Sequence, residues 1–258
     1  VKSAIPTITT LKDRTSCPTC GMAVRIIRRV DGYADHYEAV ITGDEIARGL
    51  LPQDPVTAQR LRDMREGKKT VALIGMAATS CSLAPYDDDV ELWGLNESHA
   101  FPWMKKATRW FQIHNSASWK RYVAKREVRG HFLWLKRNPW NIPIYMQHQQ
   151  DIIPNSVSYP LHDVVEKVFP LFRRGEDMVK YFTSSFAYMM GVAVLEGFER
   201  IEIYGFELAD DIEFVKQKAC AEFWIGFAMG KGAEIYTPPG NQIMWSALYG
   251  GDEQGEGW

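Results

Sequence analysis

From Thr70 onward the chain falls into a repeating rhythm of short apolar runs, polar turns and longer apolar stretches. TVALIG (70–75), ELWGLN (91–96), RWFQIH (109–114) and IPIYMQ (142–147) are the short runs. Each has the length and content of a strand buried on both faces of a parallel sheet. Residues 116–137 read as a helix, and 184–199 as a strongly apolar one that leads directly into a strand, RIEIYGFEL (200–208). A further helix over 214–231 closes at Gly230 and Gly232, and EIYTP (234–238) is the last strand. Alternation of this kind predicts an α/β fold: a Rossmann-like, mostly parallel sheet with helices on both faces.

The first 69 residues follow another pattern. VRIIRRVDGYADHYEAV predicts a hairpin turning at Asp31-Gly32, and Thr42 to Glu45 is a capping box for a short helix. A second helix is expected over 55–66, ending at Gly67. The expected organisation is an N-terminal appendage (1–69), a nucleotide-binding catalytic domain (70–250) and a loose glycine-rich, acidic tail (251–258). No apolar run approaches the roughly 18 residues that span a bilayer, and VKSAIPTITTLKDRTS lacks a signal-peptide core, so a cytoplasmic protein is expected.

Cysteine and charge add two features. Cys17 and Cys20 form the single CxxC, two of the four ligands that structural zinc requires, with His36 as a candidate third. The net charge is −2, but the segment 105–137 carries +9 and the remainder −11. Arg121, Lys125 and Arg129 share a helical face, with Lys120 beside them. Trp103, Trp110, Trp119, Tyr122, Phe132, Trp134 and Trp140 are interleaved with the basic residues. Cations for phosphates and rings for unpaired bases make this a candidate nucleic-acid surface; a solvated helix over an aromatic core has the same pattern.

An open parallel sheet binds its ligand beyond the carboxyl ends of its strands. The residues there are Gly75, Thr79 and Ser80 after the first strand, Asn96 after the second, His114 after the third and His148 after the fourth. Thr183 and Ser184 open the apolar helix, where an N-cap hydroxyl and the helix dipole suit a phosphate, although plain capping needs no ligand. Glu207 ends the strand that follows. His114 and His148 are reserve candidates for a general base.

The arrangement VALIG-x-A-x-TS, then ELWGLN, then YFTSSFAYMMGVAVLEGFERIEIYGFEL, resembles bacterial sialyltransferases and the related 6-hydroxymethylpterin diphosphokinase-like family over residues 70–250. RWFxIH, PNSVxYP and LYG also resemble uncharacterised phage-encoded proteins. The resemblance implies a nucleotide site lined by Gly75, Thr79, Ser80, Asn96, Thr183 and Ser184, and a base histidine ahead of the Thr-Ser helix start, which makes His162 and Asp163, in SYPLHD, the first candidates for a general base. Met76, Thr79, Ser185 and Glu207 stand where that pattern has Asn, Pro, Gly and Asp, which leaves the donor sugar open.

Three readings stand. The first is a glycosyltransferase with a nucleotide-sugar donor and no obligatory metal, acting on a hydroxylated acceptor such as a hydroxymethylated base in phage-type DNA. The second is a pterin-type pyrophosphokinase-like enzyme, for which Asp87, Asp88 and Asp89 would hold Mg²⁺. The third is a nucleotide- or nucleic-acid-binding module without catalysis.

Overall fold

The computed structural model describes residues 14–16, 23–27, 36–38, 55–115, 129–168, 173–174, 177–178, 180–208, 212–239, 241 and 243–244. The chain forms two compact units, Val1–Leu51 and Pro52–Trp258. In the first, β1 (Arg14–Ser16), β2 (Ala23–Ile27) and β3 (His36–Glu38) make an antiparallel sheet in that order. Ile27 pairs with His36, as the expected hairpin requires, whereas β1 was not foreseen. The turn at Asp31-Gly32 and both residues of the CxxC lie outside the described residues.

The second unit begins with α1 (Pro55–Arg65), which the sequence grouped with the appendage. There follow β4 (Thr70–Ile74), the single turn α2 (Ala78–Cys81), β5 (Glu91–Leu95), β6 (Arg109–Gln112), α3 (Arg129–Arg137) and β7 (Ile144–Met146). Next come β8 (Ser156–Ser158), α4 (Leu161–Val168) and a two-residue pair, β9 (Arg173–Arg174) with β10 (Asp177–Met178). The chain continues with α5 (Ser185–Leu195), β11 (Arg200–Tyr204), α6 (Ile212–Gly230) and β12 (Glu234–Tyr236). Seven strands form one sheet in the order β12-β11-β4-β5-β6-β7-β8, and every neighbouring pair is parallel.

Strand alternation divides the two faces. Val71, Leu73, Trp93, Leu95, Phe111, Ile201 and Ile203 point to one side, into a core shared with buried residues of α4, α5 and α6. Helix α5 is apolar all round, and its neighbours explain this: α4, α6 and strands β4 and β6 all pack on it. The alternate positions face the other side, where α1 and α3 pack. There the polar side chains find polar partners. Arg65 of α1 donates to Glu202 at 2.9 and 2.7 Å, and Glu202 also accepts from Arg200 at 2.7 Å and from the Tyr204 hydroxyl at 2.8 Å. Arg200 and Glu202 are fully buried.

The strands run outward from β4 to β8, and the chain then returns to lay β11 and β12 on the opposite side of β4. The order therefore reverses between β4 and β11, which is where doubly wound sheets open a crevice at their carboxyl ends.

Candidate functional site

At the reversal, the segments leaving β4 and β11 are zipped together. Gly75 N donates to Tyr204 O at 2.8 Å and Ala77 N to Gly205 O at 3.0 Å. Ser80, expected to line a nucleotide, instead accepts from Gly205 N at 2.8 Å and is buried. The Cys81 thiol donates to the carbonyls of Ala77 and Gly75, at 3.0 and 3.3 Å. Burial first, and then the nearby Glu207, push that thiol far above its ordinary range, so it is an inert filler. Gly75 serves this closure, because a Cβ there would lie 2.2 Å from Gly205 O. The side chain of Thr79 lies outside the described part.

Beside the zipped loops, two polar groups stand without protein partners. Asn96, in the left-handed region at φ 46, directly follows β5, and its Oδ1 is buried and unbonded. Its backbone is held on both sides: Asn96 N donates to Phe111 O at 3.1 Å, and Trp110 Nε1 donates to Asn96 O at 3.2 Å. Ser184 occupies the N-cap position of α5 with extended backbone, yet its hydroxyl makes no capping bond and is likewise buried and unbonded. Since α5 leads into β11 and must run against it, its start lies at the carboxyl side of the sheet. Asn241, after β12, has a buried, unbonded Nδ2 on that side too. Three of the five such atoms among the described residues thus belong to residues that chain order assigns to the carboxyl side of the sheet, where the topology predicts a ligand.

Thr183, expected beside a phosphate, also makes a bond within the protein. Its hydroxyl donates to Lys216 O of α6 at 3.2 Å, and Trp224 Nε1 donates to Tyr181 O at 2.8 Å, so the lead into α5 is fastened to α6.

The candidate bases separate by strand position. His114 follows β6, two strand spacings from β4, or about 10 Å along the sheet; His148 follows β7 at about 14 Å. Both are exposed. His162 follows the edge strand β8 and is 77% exposed, with Nε2 3.1 Å from Glu166 Oε1 and Nδ1 3.9 Å from Asp163 Oδ1. His162 and Asp163 are therefore paired on the surface of their own helix. Glu97, next to Asn96, lies near enough to His114 to feel its charge, while burial, the larger effect, raises its carboxyl above the ordinary range.

Sequence reasoning missed a buried polar chain behind Asn96. His99 Nε2 lies 2.8 Å from His131 Nδ1, and His131 Nε2 lies 2.8 Å from Gln112 Oε1. His99 is stacked on Trp134 with ring centroids 4.2 Å apart. Burial holds both imidazoles uncharged, His99 down to about 4 and His131 to about 3. The available signal was His99 three residues past a strand-end Asn, and a histidine within an otherwise basic and aromatic helix.

The basic segment changes character. Arg109 faces inward: its guanidinium grips both Glu196 oxygens, at 2.5 and 2.8 Å, and reaches Glu91 at 2.9 Å, so it is not available to a phosphate. Trp103 and Trp110 are buried, and Trp110, Trp134 and Trp140 pack on one another, so these rings form an interior cluster rather than a stacking platform. Lys120, Arg121 and Lys125 lie outside the described residues, as does the side chain of Arg129.

The Mg²⁺ reading is not supported by its aspartates. Asp87, Asp88 and Asp89 precede β5, at the amino ends of the strands, away from the loop after β4. Asp88 is moreover ion-paired with Arg65 and lies 3.6 Å from Arg62. Among the described residues no three His, Cys, Asp or Glu side chains are grouped to hold a metal, and no helix is long and apolar enough to cross a membrane.

Solved structures of the sialyltransferase CstII from Campylobacter jejuni are similar to this chain. The complex with cytidine-5′-monophosphate is 13% identical with a TM-score of 0.46, over 68% of this chain and 82% of that one. The complex with trisaccharide acceptor and CMP is 14% identical with a TM-score of 0.44, over 68% and 83%. No family model matches the sequence, and no curated protein sequence matches it.

Proposed function

We propose that this chain is a glycosyltransferase that takes a glycosyl group from a nucleotide-sugar donor and passes it to a hydroxyl-bearing acceptor. The observation carrying this reading is the pair of buried polar atoms without protein partners, Asn96 Oδ1 and Ser184 Oγ, on the carboxyl side of the sheet beside its topological reversal. An amide oxygen suits a base amine or ribose hydroxyl of the donor. The Ser184 hydroxyl and the positive end of α5 suit its phosphate, and the same groups would stabilise charge as the phosphate departs.

The acceptor hydroxyl must lose its proton as it attacks the anomeric carbon. His114, the exposed histidine nearest the reversal by strand order, is the base in this reading, since His99, one strand nearer, is held against His131. The glycosidic bond to the nucleotide breaks as the bond to the acceptor oxygen forms, and the proton passes to His114. No residue is assigned to bind metal. A hydroxymethylated base in DNA remains one acceptor to assay, alongside glycans and small alcohols.

The test is donor turnover. Incubation with CMP-, UDP-, GDP- and ADP-linked sugars and an acceptor panel should release one nucleotide class, read by mass spectrometry. His114→Ala should slow that release by about 10²-fold or more, as loss of a general base does. Release by the wild type that His114→Ala leaves untouched would remove His114 from the mechanism. No release from any donor would count against transferase activity.

A further inference from the structure

We propose that His99, His131 and Gln112 act as a positioning unit that fixes the left-handed backbone of Asn96 and so aims its amide oxygen at the donor nucleotide; this rests on the reading above. The connection can be followed atom by atom. Gln112, 2% exposed, fixes His131 at 2.8 Å, and His131, 7% exposed, fixes His99 at 2.8 Å. The His99 ring lies flat on Trp134, which packs 4.6 Å from Trp110 by ring centroids. The Trp110 indole then donates to the Asn96 carbonyl at 3.2 Å.

The chemistry of the chain is directional. With both imidazoles neutral, His131 donates from Nε2 to Gln112 and accepts at Nδ1 from the His99 Nε2–H, a tautomer assignment that satisfies both contacts. Apolar side chains would fill the space between strand β6 and helix α3 equally well. A polar chain there costs desolvation unless every member is paired, and in return it admits only one arrangement. That fixed arrangement stands behind the one residue after β5 whose backbone is left-handed and whose side-chain oxygen has no protein partner.

Three variants at His99 separate hydrogen bonding from stacking. Glutamine places a polar atom where Nε2 stands and a planar amide on Trp134, phenylalanine keeps a ring on Trp134 without the hydrogen bond, and alanine removes both. Calorimetric titration with CMP, CDP, UDP, GDP and ADP, well below each variant's melting temperature, gives the affinity. His99→Ala and His99→Phe should weaken the nucleotide that wild type binds by about tenfold, the scale of one net hydrogen bond, while His99→Gln stays within about threefold. If His99→Ala does not fold, the other two variants still decide. Wild-type affinity in His99→Phe, or equal loss in His99→Phe and His99→Gln, overturns the proposal. If wild type binds none of the five nucleotides, the donor reading fails and the positioning role with it. If wild type binds and all variants bind alike, the positioning role alone fails.

Discussion

Gly75 and Gly205 meet backbone to backbone, so that a Cβ on Gly75 would lie 2.2 Å from the Gly205 carbonyl oxygen. Gly205 is itself left-handed, at φ 69, and its own Cβ would fall 2.1 Å from the Cys81 sulfur. The contact joins the segments that leave β4 and β11 at their carboxyl ends. Gly75→Ala must therefore push two backbone segments apart. An expected loss of about 1–3 kcal/mol, the usual scale of overpacking, would appear as a lowered denaturant midpoint. Unchanged stability would mean that the two loops are not in this contact.

Acid should destabilise the fold well above the carboxylate range. His99 and His131 have folded-state values of about 4 and about 3, below the ordinary 6.5, mainly through burial. The unfolded chain therefore binds more protons as pH falls below 6.5. Stability contributed by the neutral pair is complete above that value and declines towards the folded values, at up to about 1.4 kcal/mol per pH unit for each histidine. Urea unfolding between pH 7 and 5 should show this slope in wild type and a smaller one in His131→Gln. Identical slopes would contradict buried neutral imidazoles.

The Arg65–Glu202–Arg200 cluster is a fixed part of the fold. Burial raises the Glu202 carboxyl, but the hydrogen bonds and charge of Arg65, with the hydrogen bonds of Arg200 and Tyr204, outweigh it and hold the group below the ordinary range. Its contribution is present above about pH 4.5 and is lost as pH falls through the folded value. Glu202→Gln at neutral pH should cost about 3–5 kcal/mol, because two buried guanidinium groups lose their shared partner. A melting temperature within a degree or so of wild type would show that the cluster is hydrated and open.

Most of the sheet was legible, because parallel strands buried on both faces are written as apolar runs such as TVALI and RIEIY. Strand β8 was not: SVS lies between Pro154 and Pro160 and carries two serines. As an edge strand it needs only a short ladder, with Ser156 Oγ closing the preceding turn onto Gln150 at 2.9 and 3.0 Å. Asn96, His114 and Ser184 could be placed at the ends of their elements by position alone, since a strand-end rule needs no tertiary information. Arg109, Trp103, Trp110 and the His99–His131 pair were misread or missed because inward and outward residues look alike inside a run of mixed charge and aromatic character. Only packing shows that Arg109 answers Glu91 and Glu196 rather than a phosphate.

The most direct test of the account is nucleotide binding by wild type and by an Asn96→Ala, Ser184→Ala double variant, measured by calorimetry against CMP, CDP, UDP, GDP and ADP. Both side chains make no bond within the protein through the atoms concerned, so their removal should lower the melting temperature only by the modest cost of an alanine at the left-handed position 96. Two hydrogen bonds to the ligand, one of them to a charged phosphate, should together contribute about 2–4 kcal/mol, or roughly 30- to 1,000-fold in affinity. The account predicts one nucleotide that wild type binds and the double variant binds at least about thirtyfold more weakly. Equal affinity in a folded double variant would contradict it.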